Sequence, residues 1–253
     1  MKIKQIVFSP TGGTQKVVNI LTEKWRNHIN EIDLTDINMN YNSIHFEKYD
    51  VAVIAVPSYG GRVPALATER ISKIQGNQAK CVIVCVYGNR AYEDTLIELN
   101  DIAEKCNFKV IAAVSAIAEH SIIHQYATGR PDQQDKNELH SFADKILEKI
   151  NHNVESPLTI PGNRPYKKIS EIALVPKADK KCINCGLCAK NCPTQAINND
   201  NVKEVDSKKC ISCMRCVVQC PHSARKVNNI MVSAAALAIK KECSKRKNNE
   251  LYI

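Results

Sequence analysis

Two copies of one cysteine motif constrain the fold of this 253-residue chain more than any other feature. Each copy reads Cys-x-x-Cys-x-x-Cys-x-x-x-Cys-Pro, where x is any residue. Two residues separate each of the first three cysteines, and three residues separate the third from the fourth. The copies comprise Cys182, Cys185, Cys188 and Cys192, and then Cys210, Cys213, Cys216 and Cys220. Three thiolates from one such turn can bind three irons of one 4Fe-4S cluster, but the fourth iron needs a ligand from elsewhere in the chain.

Zinc binding and disulfide bonding are the alternatives, and both fit the motif less well. A zinc ribbon uses two Cys-x-x-Cys pairs for each metal, not two triplets that each end in Cys-x-x-x-Cys-Pro. A disulfide framework needs an oxidising compartment. The sequence shows no secretion-signal pattern before its first apolar strand, so we expect a reducing, cytoplasmic location.

Residues 177–228 resemble bacterial-type ferredoxins that carry two 4Fe-4S clusters. The resemblance implies a small α+β domain in which the fourth cysteine of each run binds the cluster of the other run. This assigns Cys182, Cys185, Cys188 and Cys220 to one cluster, and Cys210, Cys213, Cys216 and Cys192 to the second. The four other cysteines follow no ligand spacing, and Cys81 and Cys85 are expected to be small buried apolar residues.

Charge is unevenly distributed along the chain. Residues 1–150 carry a net charge of −1, and residues 151–253 carry +10. A basic half taken alone favours binding to nucleic acid or acidic lipid. Two clusters would add about −4, because each combines four thiolates with an iron–sulfide core of about +2. The remaining positive charge predicts an acidic redox protein as partner, and no nucleic acid.

The first 150 residues alternate apolar strand patterns with amphipathic helix patterns, which predicts an α/β fold with a parallel sheet covered on both faces. Strands are predicted over 3–8, 32–34, 51–56, 80–86 and 109–117. Helices are predicted over 15–28, from Pro64 onward, up to Cys106, and over 134–151.

A loop rich in glycine and hydroxyl residues follows the first strand. It reads Ser9-Pro10-Thr11-Gly12-Gly13-Thr14 and leads directly into a helix. Backbone N–H groups at a helix start, together with hydroxyl groups, bind phosphate well. The alternative interpretation is a capped helix that follows a tight turn.

This loop resembles the flavodoxin signature Thr/Ser-x-Thr-Gly-x-Thr, which holds the phosphate of FMN. The resemblance covers about residues 1–150 and implies a flavodoxin-like, doubly wound, five-stranded parallel sheet of order 2-1-3-4-5, with FMN beyond the carboxyl ends of the strands. It implies phosphate contacts from Ser9, Thr11, Gly12, Gly13 and Thr14. The loops that would flank the flavin ring contain Pro57, Ser58, Tyr59, Gly60 and Gly61, and Tyr87, Gly88, Asn89 and Tyr92.

Some side chains in these loops have two interpretations each. Tyr59, and Tyr87 or Tyr92, either stack on the ring or anchor their loops in the core. Arg62 and Arg90 either stabilise reduced flavin or lie solvated at the rim, and we favour the rim. Asn89 is predicted to hydrogen-bond the ring edge, and His120 is predicted to make a local hydrogen bond within its loop.

The chain therefore divides into four segments. We predict an FMN domain over 1–151, a proline-containing linker over 152–176, the ferredoxin domain over 177–228, and a C-terminal helix with a basic tail over 229–253. The last segment either packs on the protein, with its tail frayed, or anchors at a membrane surface. We favour packing, because its apolar part is too short to span a bilayer.

The whole chain resembles the flavodoxin–ferredoxin fusion proteins of anaerobic bacteria and archaea. That resemblance implies electron transfer between redox protein partners through FMN and two 4Fe-4S clusters, coupling one- and two-electron steps. The alternative is an FMN-dependent reductase of a small molecule, such as a quinone or a nitro compound. The sequence has no second nucleotide-binding pattern for NAD(P)H and no nucleophile–base pair, which favours the carrier.

Overall fold

The structure is a computed structural model that describes residues 2–25, 29–152, 158–169 and 174–253. The end of the predicted helix over 15–28, at residues 26–28, lies outside the described residues. So do residues 153–157 and 170–173 of the predicted linker.

A six-stranded sheet lies at the centre of the N-terminal unit. The strands of the described residues are β1 (Ile3–Val7), β2 (Ile29–Asp33), β3 (Val51–Pro57), β4 (Lys80–Tyr87), β5 (Lys109–Ile117), β6 (Lys177–Ala178), β7 (Arg225–Lys226) and β8 (Glu250–Tyr252). The order in the six-stranded sheet is β2-β1-β3-β4-β5-β8, and β6 pairs antiparallel with β7 in a separate two-stranded sheet. The first five strands are parallel, in the predicted order. The prediction of five strands was incomplete, because β8 pairs antiparallel with β5.

Helices cover both faces of this sheet. The helices of the described residues are α1 (Gly13–Thr22), α2 (Ala65–Ile71), α3 (Thr95–Lys105), α4 (Gln133–His152), α5 (Leu187–Lys190), α6 (Arg215–Val218) and α7 (Asn229–Cys243), with 3-10 turns at Glu23–Trp25 and Tyr41–Ser43. Apolar residues of α1 and α4 pack on one face, and those of α2 and α3 on the other. The continuous apolar runs of β3 and β4 follow from this, because both faces of these strands are buried.

The C-terminal segment, residues 229–253, does not end in a frayed tail. It packs on the N-terminal unit that contains the six-stranded sheet, called the sheet unit below. The hydroxyl of Tyr126 donates a 2.7 Å hydrogen bond to the carbonyl of Ala236 in α7. Further along, buried Asn249 accepts a 2.9 Å bond from the amide of Ile117 and donates to Glu138. Helix α7 therefore packs as we favoured, and no helix of the described residues is long and apolar enough to cross a membrane.

The described part of the linker runs along α3. Buried Asp94, just before that helix, accepts hydrogen bonds from the amides of Asn163 (2.8 Å) and Lys167 (2.6 Å). Asp101 accepts from Arg164 and Tyr166. Asp94 therefore holds both ends of the stretch from Asn163 to Lys167, and Asp101 holds its middle.

We expect Asp94→Asn to release this stretch. The asparagine side chain has only one acceptor oxygen, and its NH₂ group would face an N–H group of the linker. Because the lost acceptor is charged and buried, the free energy of unfolding should fall by about 2–3 kcal/mol. Hydrogen exchange at the amides of Asn163 and Lys167 should accelerate. Glu104→Gln, on the exposed side of the same helix, is the matched control and should leave both amides protected.

The same contact should depend on pH. Burial favours the protonated acid, but the hydrogen bonds from Lys167 and Asn163 outweigh it and hold the pKa of Asp94 below its ordinary 3.8. A lowered folded-state pKa stabilises the protein above the unfolded value, and this contribution is lost as pH falls through the folded pKa. The measurement is hydrogen exchange at the amides of Asn163 and Lys167, corrected for the pH dependence of the intrinsic exchange rate. If the protection of these amides did not change below about pH 4, the role of the Asp94 carboxylate would be contradicted.

Candidate functional site

The structure brings the eight motif cysteines together around two separate cavities. The first cluster cavity, of about 350 Å³, is lined by Cys182, Cys185, Cys188 and Cys220. The second cluster cavity, of about 370 Å³, is lined by Cys192, Cys210, Cys213 and Cys216. Each cavity thus has three cysteines from one run and the fourth from the other run.

Left-handed backbone turns bring the cysteines of each run to one cavity. Asn184 and Gly186 have φ values of 60° and 77° in the first run, and Ser212 and Met214 have φ values of 52° and 60° in the second. Each pair brackets the second cysteine of its run, and the short helix α5 or α6 begins directly afterwards. A positive φ costs energy for non-glycine residues, so such turns persist where the surroundings require them.

Hydrogen-bond donors surround the cysteine sulfurs. The amides of Ala196 and Ala224 each lie 3.3 Å from a sulfur, that of Cys192 and that of Cys220 respectively. Burial opposes ionisation of the Cys220 thiol, but hydrogen bonds from the amides of Ala224, His222 and Arg225 outweigh it and lower the pKa of this thiol. Burial raises the pKa of Cys213 to about 11 and of Cys216 to about 12. A ligand that deprotonates such buried thiols must carry positive charge into the cavity.

Unpartnered arginine nitrogens lie beside both cavities in the described part of the chain. In the same part of the chain, the buried side-chain atoms without a hydrogen-bond partner are Ser212 Oγ, Arg215 Nε and Arg225 Nε. Both arginines line the cavities, where a cluster of about −2 would provide a partner.

The loop after β1 forms a cradle at the start of α1. Gly12 has a φ of 89°, and the hydroxyl oxygen of Ser9 accepts a 2.9 Å hydrogen bond from the amide of Gln15. Among the described residues no acceptor is found for the amides of Thr11, Gly13 and Thr14. A Cβ on Gly13 would lie 3.4 Å from the Cβ of Ala118, so the loop packs closely against the end of β5. Free amides at a helix start suit a phosphate group.

The loop after β3 is a tight turn at the same sheet edge. Tyr59 and Arg62 exchange backbone hydrogen bonds of 3.0 and 3.2 Å, and Gly60 and Gly61 between them have φ values of 62° and 87°. The carbonyl of Gly61 accepts a bond from the amide of Asp94. This turn is therefore tied to the loop after β4.

Residues 181–224 match the family model described as "4Fe-4S dicluster domain". This part of the chain is a dicluster domain. The N-terminal unit has flavodoxin-like topology, since β1 to β5 are parallel in the order 2-1-3-4-5. The chain thus joins a flavodoxin-like sheet to a dicluster domain, consistent with a flavodoxin–ferredoxin fusion.

Similar solved structures overlap the sheet unit. A flavodoxin of Streptococcus pneumoniae TIGR4 is 16% identical, with 59% of this chain and 99% of that chain covered, at a TM-score of 0.44. Flavodoxin 1 of Bacillus cereus is 14% identical, with 58% and 98% covered, at 0.41. The flavodiiron core of Flv1 from Synechocystis sp. PCC6803 is 12% identical, with 61% and 37% covered, at 0.44. No curated protein sequence matches the chain.

Several side chains near the sheet edge have structural roles that differ from the predictions. Asn89 is buried, donates to the carbonyls of Cys243 (3.0 Å) and Lys245 (2.8 Å), and accepts from Lys247. Its side chain therefore holds the C-terminal segment with both amide hydrogens, and the predicted hydrogen bond to the ring edge stays a prediction.

The aromatic side chains of these loops pack on one another and on the core. Tyr87 is buried and meets Tyr92 edge-on at 5.3 Å. The hydroxyl of Tyr92 bonds Glu250 and Tyr252 of β8. Tyr59 packs on the core, with its ring edge-on to Phe8 at 6.5 Å. Tyr87 and Tyr92 therefore lie where the second interpretation placed them, as side chains that anchor their loops in the protein.

Neither arginine is a solvated rim charge, which corrects the interpretation that we favoured. Arg62 makes two bonds to Glu98, of 2.7 and 2.8 Å, and donates to the carbonyl of Lys167 in the linker. Arg90 binds Glu93. Sequence patterns did not reveal the role of Arg62, because an ion pair between residues 36 positions apart leaves no local signal.

His120 makes the local contact that was expected. Its Nδ1 accepts from the amides of Ile122 and Ile123, at 3.2 and 3.1 Å. Burial lowers the pKa of His120 to about 4, so the neutral ring that these bonds require is present at pH 7. A Cβ on Gly88 would lie 2.7 Å from this ring, which explains the glycine at that position.

Proposed function

We propose that this chain is an electron-transfer protein that binds FMN at the carboxyl edge of its sheet and two 4Fe-4S clusters in the dicluster domain. The crossed cysteine sets of the two cavities would hold the clusters. Each cluster would exchange single electrons and FMN one or two, so that together they would couple one- and two-electron steps.

The observation that carries this proposal is the position of the second cluster cavity beside the loop after β3. Ile211, on the wall of that cavity, packs against the core of the sheet unit together with Tyr59. Burial raises the pKa of the Tyr59 phenol well above its ordinary value, and the nearby Cys213 thiol adds to the shift. A residue of the predicted flavin loop and a residue of the second cavity's wall therefore pack on the same apolar core.

The linker supports a relay in preference to a small-molecule reductase. Ile169 lies 3.9 Å from the position that a Cβ on Gly60 would take. Arg62, in the same turn, binds the linker carbonyl of Lys167 at 2.6 Å. A linker that contacts this loop narrows access from that side, whereas an enzyme that turns over free substrate needs an open pocket there.

The residues of the sheet edge would divide the binding of FMN between them. Thr11, Gly12, Gly13 and Thr14 would surround the phosphate, with Ser9 fixing the start of the helix. The turn from Pro57 to Gly61 and the residues Tyr87, Gly88 and Tyr92 would form the walls near the ring. The many metal-binding thiols favour a reducing compartment such as the cytoplasm.

An anaerobic reductive titration of the reconstituted chain tests the proposal. We expect one FMN and about eight irons in each chain, with optical and electron paramagnetic resonance signals showing that both kinds of centre take up electrons from dithionite. Clusters without bound FMN would restrict the function to that of a ferredoxin. FMN without about eight irons would overturn the assignment of the two cavities.

A further inference from the structure

The internal repeat of the dicluster domain allows its two halves to be compared at equivalent positions. The first run begins Lys180-Lys181-Cys182-Ile183, and the second begins Lys208-Lys209-Cys210-Ile211. Leu187 lies five residues after the first cysteine of the first run, and Arg215 lies five residues after the first cysteine of the second run. Because the local sequences and turns match, a difference in surroundings between the halves comes from what each half faces.

The second run faces the sheet unit. Ile211 packs against the core beneath the sheet, and Arg215 lies 3.8 Å from the carboxylate of Asp33 at the end of β2. On the same side, the carbonyl of Pro193 accepts a 3.0 Å hydrogen bond from the buried side chain of Arg70 in α2. All three dicluster residues line the second cluster cavity, so this cavity is the inner one.

The first run faces solvent. Ile183 is 63% exposed and Leu187 is 37% exposed, and Cys185 is exposed as well. These three residues line the first cluster cavity. Ile211, the residue equivalent to Ile183, packs on the sheet unit. Among the described residues Ile183 has no such partner, so the first run presents an exposed apolar side chain at the position where the second run makes its contact.

The charges beside this outer surface select the partner. Lys180 and Lys181 are exposed next to Ile183, and Lys190 is exposed at the end of α5. The nearest acid in the sequence, Asp179, is already paired with Lys226 at 3.2 Å. Basic side chains around an apolar centre favour a partner with an acidic rim and an apolar contact of its own.

We propose that the two cavities have fixed, different roles, and that Ile183, Leu187, Lys180 and Lys181 form the docking surface for an acidic one-electron carrier protein at the first cluster cavity. The second cluster cavity faces only the sheet unit and exchanges electrons within the chain. This rests on the proposed function. In each encounter the carrier loses one electron and the chain gains one, with no bond made or broken.

Stopped-flow mixing of the reconstituted, oxidised chain with a purified acidic two-cluster ferredoxin, reduced beforehand, tests the proposal. The variant Lys180→Glu with Lys181→Glu reverses the charge at the outer surface. Lys208→Glu with Lys209→Glu, at the equivalent exposed positions of the inner run, is the matched control with the same change in net charge. Ile183→Ser tests the apolar contact without changing charge.

We expect the outer charge variant to lower the second-order rate constant by about tenfold or more at low salt, since steering contributes factors of 10 to 1,000. The control should change it by less than about twofold, and the unaltered chain should lose rate steeply as salt rises. Ile183→Ser should lower the rate constant at high salt as well. Equal effects of the two charge variants would overturn the proposal, because net charge alone would then explain them.

Further outcomes separate this proposal from the proposed function. If dithionite reduces the chain but the ferredoxin does not, the docking surface is wrong and the proposed function stands. If dithionite reduces neither clusters nor FMN, the proposed function itself fails. If sedimentation shows that the unaltered chain self-associates and Ile183→Ser abolishes this, the surface is an interface between copies of the chain, and the docking proposal is overturned.

Discussion

Replacing Cys192 with serine should remove the cluster of the second cavity and retain the cluster of the first. Cys192 belongs to the first run in sequence but lines the second cavity with Cys210, Cys213 and Cys216. A serine hydroxyl is a poor iron ligand compared with a thiolate, so the fourth iron loses its attachment. Bound iron should fall by about half, from about eight to four atoms in each chain.

Cys220→Ser is the reciprocal control for this experiment. Its sulfur lines the first cavity, so the remaining cluster should then be that of Cys210, Cys213 and Cys216. The two variants should hold equal amounts of iron but give different electron paramagnetic resonance spectra, because their remaining clusters have different surroundings. If the cluster that survives in Cys192→Ser were the one bound by Cys210, Cys213 and Cys216, ligation would follow the sequence runs, and the crossed assignment would be wrong.

Replacing Thr11 and Thr14 together with alanine should weaken FMN binding by about 100-fold. Both residues lie in the cradle at the start of α1, where the amides of Thr11, Gly13 and Thr14 have no acceptor among the described residues. A hydrogen bond to a charged group contributes about 1.5–3 kcal/mol, so losing two hydroxyl donors costs about 3 kcal/mol or more. Tenfold in affinity corresponds to about 1.4 kcal/mol.

Riboflavin provides the sharpest control, because it has the same ring and no phosphate. Titration of both flavins into the apoprotein should show that the double alanine variant loses affinity for FMN but not for riboflavin. Thr11→Ser with Thr14→Ser keeps both hydroxyl groups and should retain most of the FMN affinity. An equal loss for both flavins would mean that the threonines support the loop but do not contact the phosphate.

The sequence predicted the sheet well because its signals are local. A strand buried on both faces must be continuously apolar, and β3 and β4 are, so their bounds were predicted to within one residue. The three-residue strand β8 has too few residues to show a period of two. Its place beside β5 depends on contacts between distant parts of the chain, such as the bond from Tyr126 to Ala236, 110 residues later.

Site residues followed the same division. Motif spacing identified the eight cysteines, since three of each set belong to one continuous turn. The structure alone showed that Asn89 holds the C-terminal segment and that Arg62 holds the linker. Neither contact was predicted, for one reason: each partner comes from a distant part of the chain, and such a pairing leaves no local pattern.

The sequence by itself therefore determined which groups this protein has to bind clusters, because the cysteine motif depends on spacing over a few residues. The order of the sheet was implied by the resemblance to flavodoxins, and the parallel pairing of the first five strands confirms it. Only the tertiary structure decided which half of a nearly symmetric dicluster domain faces the sheet. Ile183 and Ile211 occupy equivalent places in the repeat, yet one is exposed and the other packs on the core. That choice follows from the linker and from the contacts of Arg70 and Asp33, which join residues too far apart in sequence to leave a pattern.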